Sequence, residues 1–115
     1  MKALKIKTQL ISDFDNEFKE FIGKMDDNVI YYQDGNIDVT ITLEPLTIER
    51  ISSEYELIMS FKSKTKTNFI NRILNNEVLI ETYCEFVKKD EKSLEIEYYI
   101  NDSKYIFKMN YEVIL

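Results

Sequence analysis

Covalent chemistry in a protein needs a nucleophile, a base or a set of metal ligands, and this 115-residue chain offers few residue types for them beyond carboxylates. It contains no histidine. That removes Ser/His/Asp and Cys/His catalysis and takes away the commonest zinc ligand. The single cysteine, Cys84, alternates with Thr82 and Phe86 and so faces the same side as they do. Without a base or a cationic neighbour a thiol stays protonated, so a buried, inert cysteine is expected. Carboxylates are plentiful, and the pairs Glu54/Glu56 and Glu95/Glu97 share one side of an extended chain. Two such groups can flank a sugar as glycosidases require, but the same spacing arises wherever a strand face is solvated. Asp26/Asp27 and Asp13/Asp15 are no better marked. The run Asp13-Phe14-Asp15-Asn16-Glu17 lacks the glycine and the ligand spacing of a calcium loop. We therefore expect no catalytic residue, no metal and no cofactor, and non-covalent binding rather than an enzyme.

Arg50 is the leading binding candidate. In Thr47-Ile48-Glu49-Arg50-Ile51 it shares a face with Ile48 if the strand is regular. An inward guanidinium needs a carboxylate or carbonyls, because a buried unpaired charge is very costly. It can equally hold an anionic ligand at a barrel mouth. The plainer alternative is a structural ion pair, or a change of face at the Pro45 bend. Around it, Tyr31 or Tyr32, Tyr55, Phe61, Phe86, Tyr98, Tyr105, Phe107 and Tyr111 fall on presumed inner faces. The expected ligand set is Arg50, Tyr32, Tyr98, Tyr111 and Phe61. Against it, many large inward side chains and only two glycines favour an interior filled by its own core.

The alternative function is a macromolecular interaction module, with a protein or RNA on an exposed strand edge or on the basic cluster Lys62, Lys64 and Lys66, extended by Arg72. Hydroxyls between those lysines could grip phosphates, and Phe61 and Phe69 could stack on bases. A lysine run at a strand junction also serves as a solubilising turn or a blunted edge. The net charge of −6 repels a nucleic-acid backbone on average.

The elements that would position these residues follow period two, not 3.6. Val39, Ile41 and Leu43 alternate with polar residues, and Tyr55, Leu57, Met59 and Phe61 alternate with Glu56, Ile58, Ser60 and Lys62. Val78, Ile80, Thr82, Cys84 and Phe86 repeat the pattern, followed by Leu94, Ile96, Tyr98 and Ile100, and by Tyr105, Phe107, Met109, Tyr111 and Val113. Successive side chains of a strand point to opposite faces, so each stretch turns an apolar side inward. Leu4 to Ile11 reads as another strand. Asp34-Gly35-Asn36 marks a hairpin, and Asp26-Asp27-Asn28, Lys88 to Lys92 and Asn101-Asp102-Ser103 mark further reversals. Pro45 implies an edge, a bend or a bulge. Roughly eight to ten close-spaced antiparallel strands suggest a barrel or sandwich. Two segments stay open between helix and strand. Phe14, Phe18, Phe21 and Ile22 fall at helical spacing in 12–23, with Gly23 as a C-cap, and Phe69, Ile70, Ile73 and Leu74 do so in 67–74.

Length and composition fit one domain over residues 1–115, with 44% hydrophobic and 13% aromatic residues. No apolar run approaches the about 18 residues of a membrane helix. The alternating start Met1-Lys2-Ala3-Leu4-Lys5-Ile6-Lys7 has no signal-peptide core. One cysteine suits a reducing compartment, so a cytoplasmic monomer or homodimer is expected.

Tyr31-Tyr32-Gln33-Asp34, the strand Val39 to Leu43, Ile48-Glu49-Arg50, Met59-Ser60-Phe61, Ile80-Glu81-Thr82 and Leu94-Glu95-Ile96-Glu97-Tyr98 occur in a telling order. In that order the chain resembles the YwiB-like family of small bacterial calycin-like β-barrel proteins over nearly its whole length. The resemblance implies a single antiparallel barrel of about eight strands, lipocalin-like in shape. It also makes Glu17 to Met25 a strand and Asp13 to Asn16 a turn. It brings no activity with it. The chain departs from the pattern at Asn71 to Asn76, where such proteins tend to carry a Pro/Gly turn.

Overall fold

The computed structural model describes residues 1–61 and 64–114. Ten strands follow one another: β1 (Lys2–Ile11), β2 (Asn16–Asp26), β3 (Val29–Asp34), β4 (Ile37–Leu43) and β5 (Leu46–Ile51), then β6 (Tyr55–Ser60), β7 (Lys64–Asn71), β8 (Asn76–Asp90), β9 (Ser93–Ile100) and β10 (Ser103–Val113). Each pairs antiparallel with the next, and β1 closes on β10 from Leu4↔Val113 to Ile11↔Ile106. The result is a closed up-and-down barrel. Its ten strands exceed the eight that the resemblance implied, and a wider barrel has more interior to fill.

Neither ambiguous segment is helical, and no helix occurs among the described residues. In 12–23 the aromatic spacing is an accident of a strand whose two faces are both partly apolar. Phe21 packs against the core while Phe18 and Ile22 point outward. Gly23 is therefore no helix cap. It lies within β2, where a β-carbon would sit 2.5 Å from the Tyr31 carbonyl oxygen and 2.7 Å from Ile6 Cδ1. In 67–74 the chain instead finishes β7 and turns. The Asn71 side-chain oxygen accepts hydrogen bonds from the Ile73 and Leu74 N–H groups, at 3.0 Å each, and Asn75 takes a positive φ of 51°. An asparagine turn replaces the glycine turn, since Asn tolerates the left-handed region and can cap its own backbone. Asp27 and Asn101 likewise take a positive φ at two further reversals. Pro45 is part of a reversal rather than a bend in one long strand, because Leu43 pairs with Leu46 across Glu44-Pro45.

Among the described residues the strand alternation breaks in β8. A bulge between Cys84 and Phe86 inserts a residue into β8, so Phe86 faces solvent instead of joining the inner aromatic set. Elsewhere the inner positions divide by depth. Leu4 and Ile6, Ile30, Ile41, Leu94 and Ile96, and Met109 fill one end of the barrel and are wholly or almost wholly buried. Lys89 crosses that end, its ammonium donating to the Leu43 carbonyl at 2.9 Å and pairing with Glu44 at 2.8 Å. Farther along the same strands the inner positions become Thr8 and Leu10, Tyr32 and Asp34, Arg50, Tyr98 and Ile100, and Phe107 and Tyr105. One end is packed with aliphatic side chains. The other is aromatic, charged and open.

Gly23→Ala is expected to cost about 1–3 kcal/mol through overpacking against a backbone carbonyl that cannot move cheaply. Gly35→Ala, with nothing within 4 Å of its added carbon, bears only the strain of φ +64°, about 1 kcal/mol. Urea unfolding midpoints of the two variants test the order; equal midpoints would mean that β2 and β3 can separate freely at Gly23.

Candidate functional site

The open end holds a cavity of about 260 Å³. Its walls are largely apolar, with Leu10, Phe21, Ile48, Leu57, Met59, Ile100 and Phe107 among them. That composition follows from closure, since every inward position of ten strands faces the same space. Two aromatic groups stiffen the walls. The Phe21 and Tyr32 rings lie 4.5 Å apart, and Tyr98 stacks on Tyr105 at 5.6 Å while Phe61 meets it edge-on at 5.1 Å.

Charge enters from one side. Arg50, inward on β5 with Leu46 and Ile48, donates through Nη2 to Asp34 Oδ2 at 3.1 Å and through Nε to the Tyr55 hydroxyl at 3.3 Å. Lys19, inward on β2, reaches Asp34 Oδ1 at 3.1 Å. Asp34 thus sits between two cations. Burial alone would raise its carboxyl, but the hydrogen bonds and charges of Lys19 and Arg50 prevail and hold it below the ordinary carboxylate value. Burial likewise opposes the Arg50 charge, and the hydrogen bonds it donates to Tyr55 and Asp34 restore it. The Tyr32 phenol is pushed up to about 12, first by burial, with Arg50 lowering and Asp34 raising it. Burial also raises Tyr98, with Tyr105 adding to it. Both phenols are therefore protonated donors at neutral pH.

Of the residues singled out from the sequence, Arg50, Tyr32 and Tyr98 line this one cavity. Phe61 stands behind the wall, buried against Tyr98. Tyr111 lies toward the packed end, its hydroxyl donating to the Glu91 carbonyl at 3.2 Å. Among the basic cluster, Lys62 lies outside the described residues, Lys64 lies on β7 and Lys66 is exposed. Arg72 pairs with Glu56 at 2.8 Å. Phe69 stacks on Tyr55 at 5.4 Å. Cys84 is half-buried; burial raises its thiol, and only a weak contact to the Phe86 carbonyl opposes this. No group of three or more potential metal ligands occurs among the described residues.

Sequence reasoning missed Asp34 and Lys19. Asp34 was absorbed into the turn Asp34-Gly35-Asn36, although Ile30, Tyr32 and Asp34 follow the same period-two rule as the other strands. Lys19 becomes an inward residue only once 16–26 is a strand, which the helical spacing of its aromatics obscured.

No protein-family model matches this chain, and no curated protein matches it in sequence. Among solved structures it is similar to the crystal structure of the ywiB protein from Bacillus subtilis. The TM-score is 0.59 over 98% of this chain and 91% of that one, at 14% identity. The likeness extends the YwiB-like resemblance from residue order to the fold itself.

Because the folded Asp34 carboxyl titrates below its unfolded value, the unfolded state takes up the proton first as pH falls. Its contribution to stability is full above the ordinary carboxylate range, near about 4, and is lost as pH falls through the lower folded value. The stability gap between wild type and Asp34→Asn is expected to be widest near neutrality and to close in acid. Denaturation midpoints at a series of pH values check this, and a gap independent of pH would deny Asp34 its coupling to Arg50 and Lys19.

Proposed function

We propose that this chain is a non-catalytic binding protein that takes one small, partly apolar molecule into the mouth of its barrel. The observation that supports this is the contrast between the two ends of the interior. One end is filled, and the other keeps about 260 Å³ between apolar walls and an Arg50–Asp34–Lys19 cluster. A core that needed only stability would gain from aliphatic packing at both ends, since burying charge costs several kcal/mol per ion before pairing. The size bounds the ligand. It exceeds the about 150 Å³ of a cavity that holds benzene and falls below the about 300 Å³ at which drug-sized pockets begin. A molecule with a medium-length hydrocarbon part fits that range. Kinship with YwiB-like proteins of calycin type, a bacterial origin and a cytoplasmic setting agree with this reading, and the single cysteine suits the last of these.

A second reading is a protein-interaction module, favoured by the β1–β2 hairpin. Phe14 is 98% exposed, Phe18 71% and Ile22 69%. Large apolar side chains grouped on a surface commonly mark an interaction site. The RNA form is weaker, because Arg72 is already answered by Glu56.

Native mass spectrometry of the protein purified without detergent is expected to reveal a small-molecule adduct that Arg50→Met loses. A clean apo mass in the wild type, together with no binding of an added medium-chain amphiphile such as decanol, would sink the ligand reading. Self-association abolished by Phe18→Ser would then favour the second.

A further inference from the structure

The deepest polar groups of the mouth are phenols rather than charges. Tyr32 is 7% exposed and Tyr98 5%. Among the described residues, neither hydroxyl has a protein hydrogen-bond partner; the contacts of these side chains are between rings. Leaving a buried polar group unpaired is costly, and Tyr O–H groups normally find a partner when buried. Thr82 Oγ1 shows what full enclosure without a partner looks like in this protein. The two phenol oxygens differ from it because they still reach open space, and for side chains this deep that space is the cavity they line. Tyr98 lies within electrostatic range of Tyr32, Tyr105 and Arg50, so these groups converge on one region. Arg50 spends two N–H donors on Tyr55 and Asp34, and a guanidinium carries five.

From this convergence we infer that the cavity is built for a monoanionic amphiphile, a medium-chain carboxylate, whose head accepts hydrogen bonds from Tyr32, Tyr98 and Arg50 while its chain lies along the apolar wall. The inference rests on the small-ligand reading above. The sign of the ligand follows from the polar groups at depth. Arg50 is answered by Asp34, while Lys19 and Glu17 both stand exposed at the rim, where water and salt screen them. What remains inside is a set of donors, the Tyr32 and Tyr98 hydroxyls and the N–H groups that Arg50 has spare, and a single oxyanion head can accept from all of them. The protonated state of both phenols fits the same sense, since each can donate to an oxyanion at neutral pH.

The test is a titration of the full chain followed by ¹H–¹⁵N NMR, with decanoate and decanol as paired probes of equal chain length. Decanoate is expected to bind at least tenfold tighter than decanol, shifting amides of β3, β5 and β9 around Tyr32, Arg50 and Tyr98. Tyr32→Phe and Tyr98→Phe are each expected to reduce decanoate affinity about tenfold, with decanol little changed, as for loss of a charge-assisted hydrogen bond. Equal binding of the two probes, or a preference for decanoate that both Phe variants retain, would overturn the carboxylate head and leave the small-ligand reading intact. Absence of cavity shifts with either probe would overturn both. Should a Phe variant not fold, the wild-type ratio of decanoate to decanol, and its decline in Arg50→Met, still decide the question.

Discussion

A sheet that closes on itself has a single inside, and every second residue of every strand has to share it. That geometric constraint governs the rest of this molecule. Once β1 is bonded to β10 along its length, an inward side chain is in the core or in the cavity, with no third place to go. Ten strands enclose more room than aliphatic residues fill here, so the interior divides into a dense half and a hollow half. In the hollow half the Lys19 and Arg50 cations meet Asp34 at 3.1 Å and remain close to solvent.

Much of this was legible before any coordinates. Period two is a strong signal when one face is wet and the other dry, as in β4, β9 and β10, and it set Tyr98 on an inner face, whereas it left Tyr31 and Tyr32 interchangeable and made Arg50 inward only for a strand that runs regularly past Pro45. It fails where both faces carry apolar side chains. In β2, Phe18 and Ile22 outside and Phe21 inside imitate a helical stripe, and in β8 the bulge at Cys84/Phe86 breaks the count of two. Depth along a strand is the quantity that alternation cannot give. Tyr111 and Tyr105 both belong to β10 and both point inward, but they lie toward opposite ends of the barrel, and only the register with β9 and β1 separates them. Asp34 was hidden for a related reason, since its residue type also serves the turn that follows it.

The pairing of the small-ligand reading with an exposed apolar hairpin is less contradictory than it looks. Phe14 and Phe18 lie at the tip of the β1–β2 hairpin, and Lys19 of the same hairpin belongs to the mouth. The surface and the cavity use opposite faces of one strand, with Phe18 outward and Lys19 inward on β2. The resemblance to the ywiB protein concerns the whole barrel and bears equally on either reading.

The topology also sets the order in which such a molecule can assemble. Nine of the ten strand pairings join neighbours in the chain, and the tenth brings Leu4 to Val113. Local hairpins close short loops quickly, whereas the last seam has to capture nearly the full length of the polypeptide and is the slow, high-contact-order step. Until it forms, the nascent sheet carries two raw margins, each able to recruit a strand from another copy. The time this barrel spends unsealed, more than the strength of its finished core, therefore governs how readily it aggregates while folding.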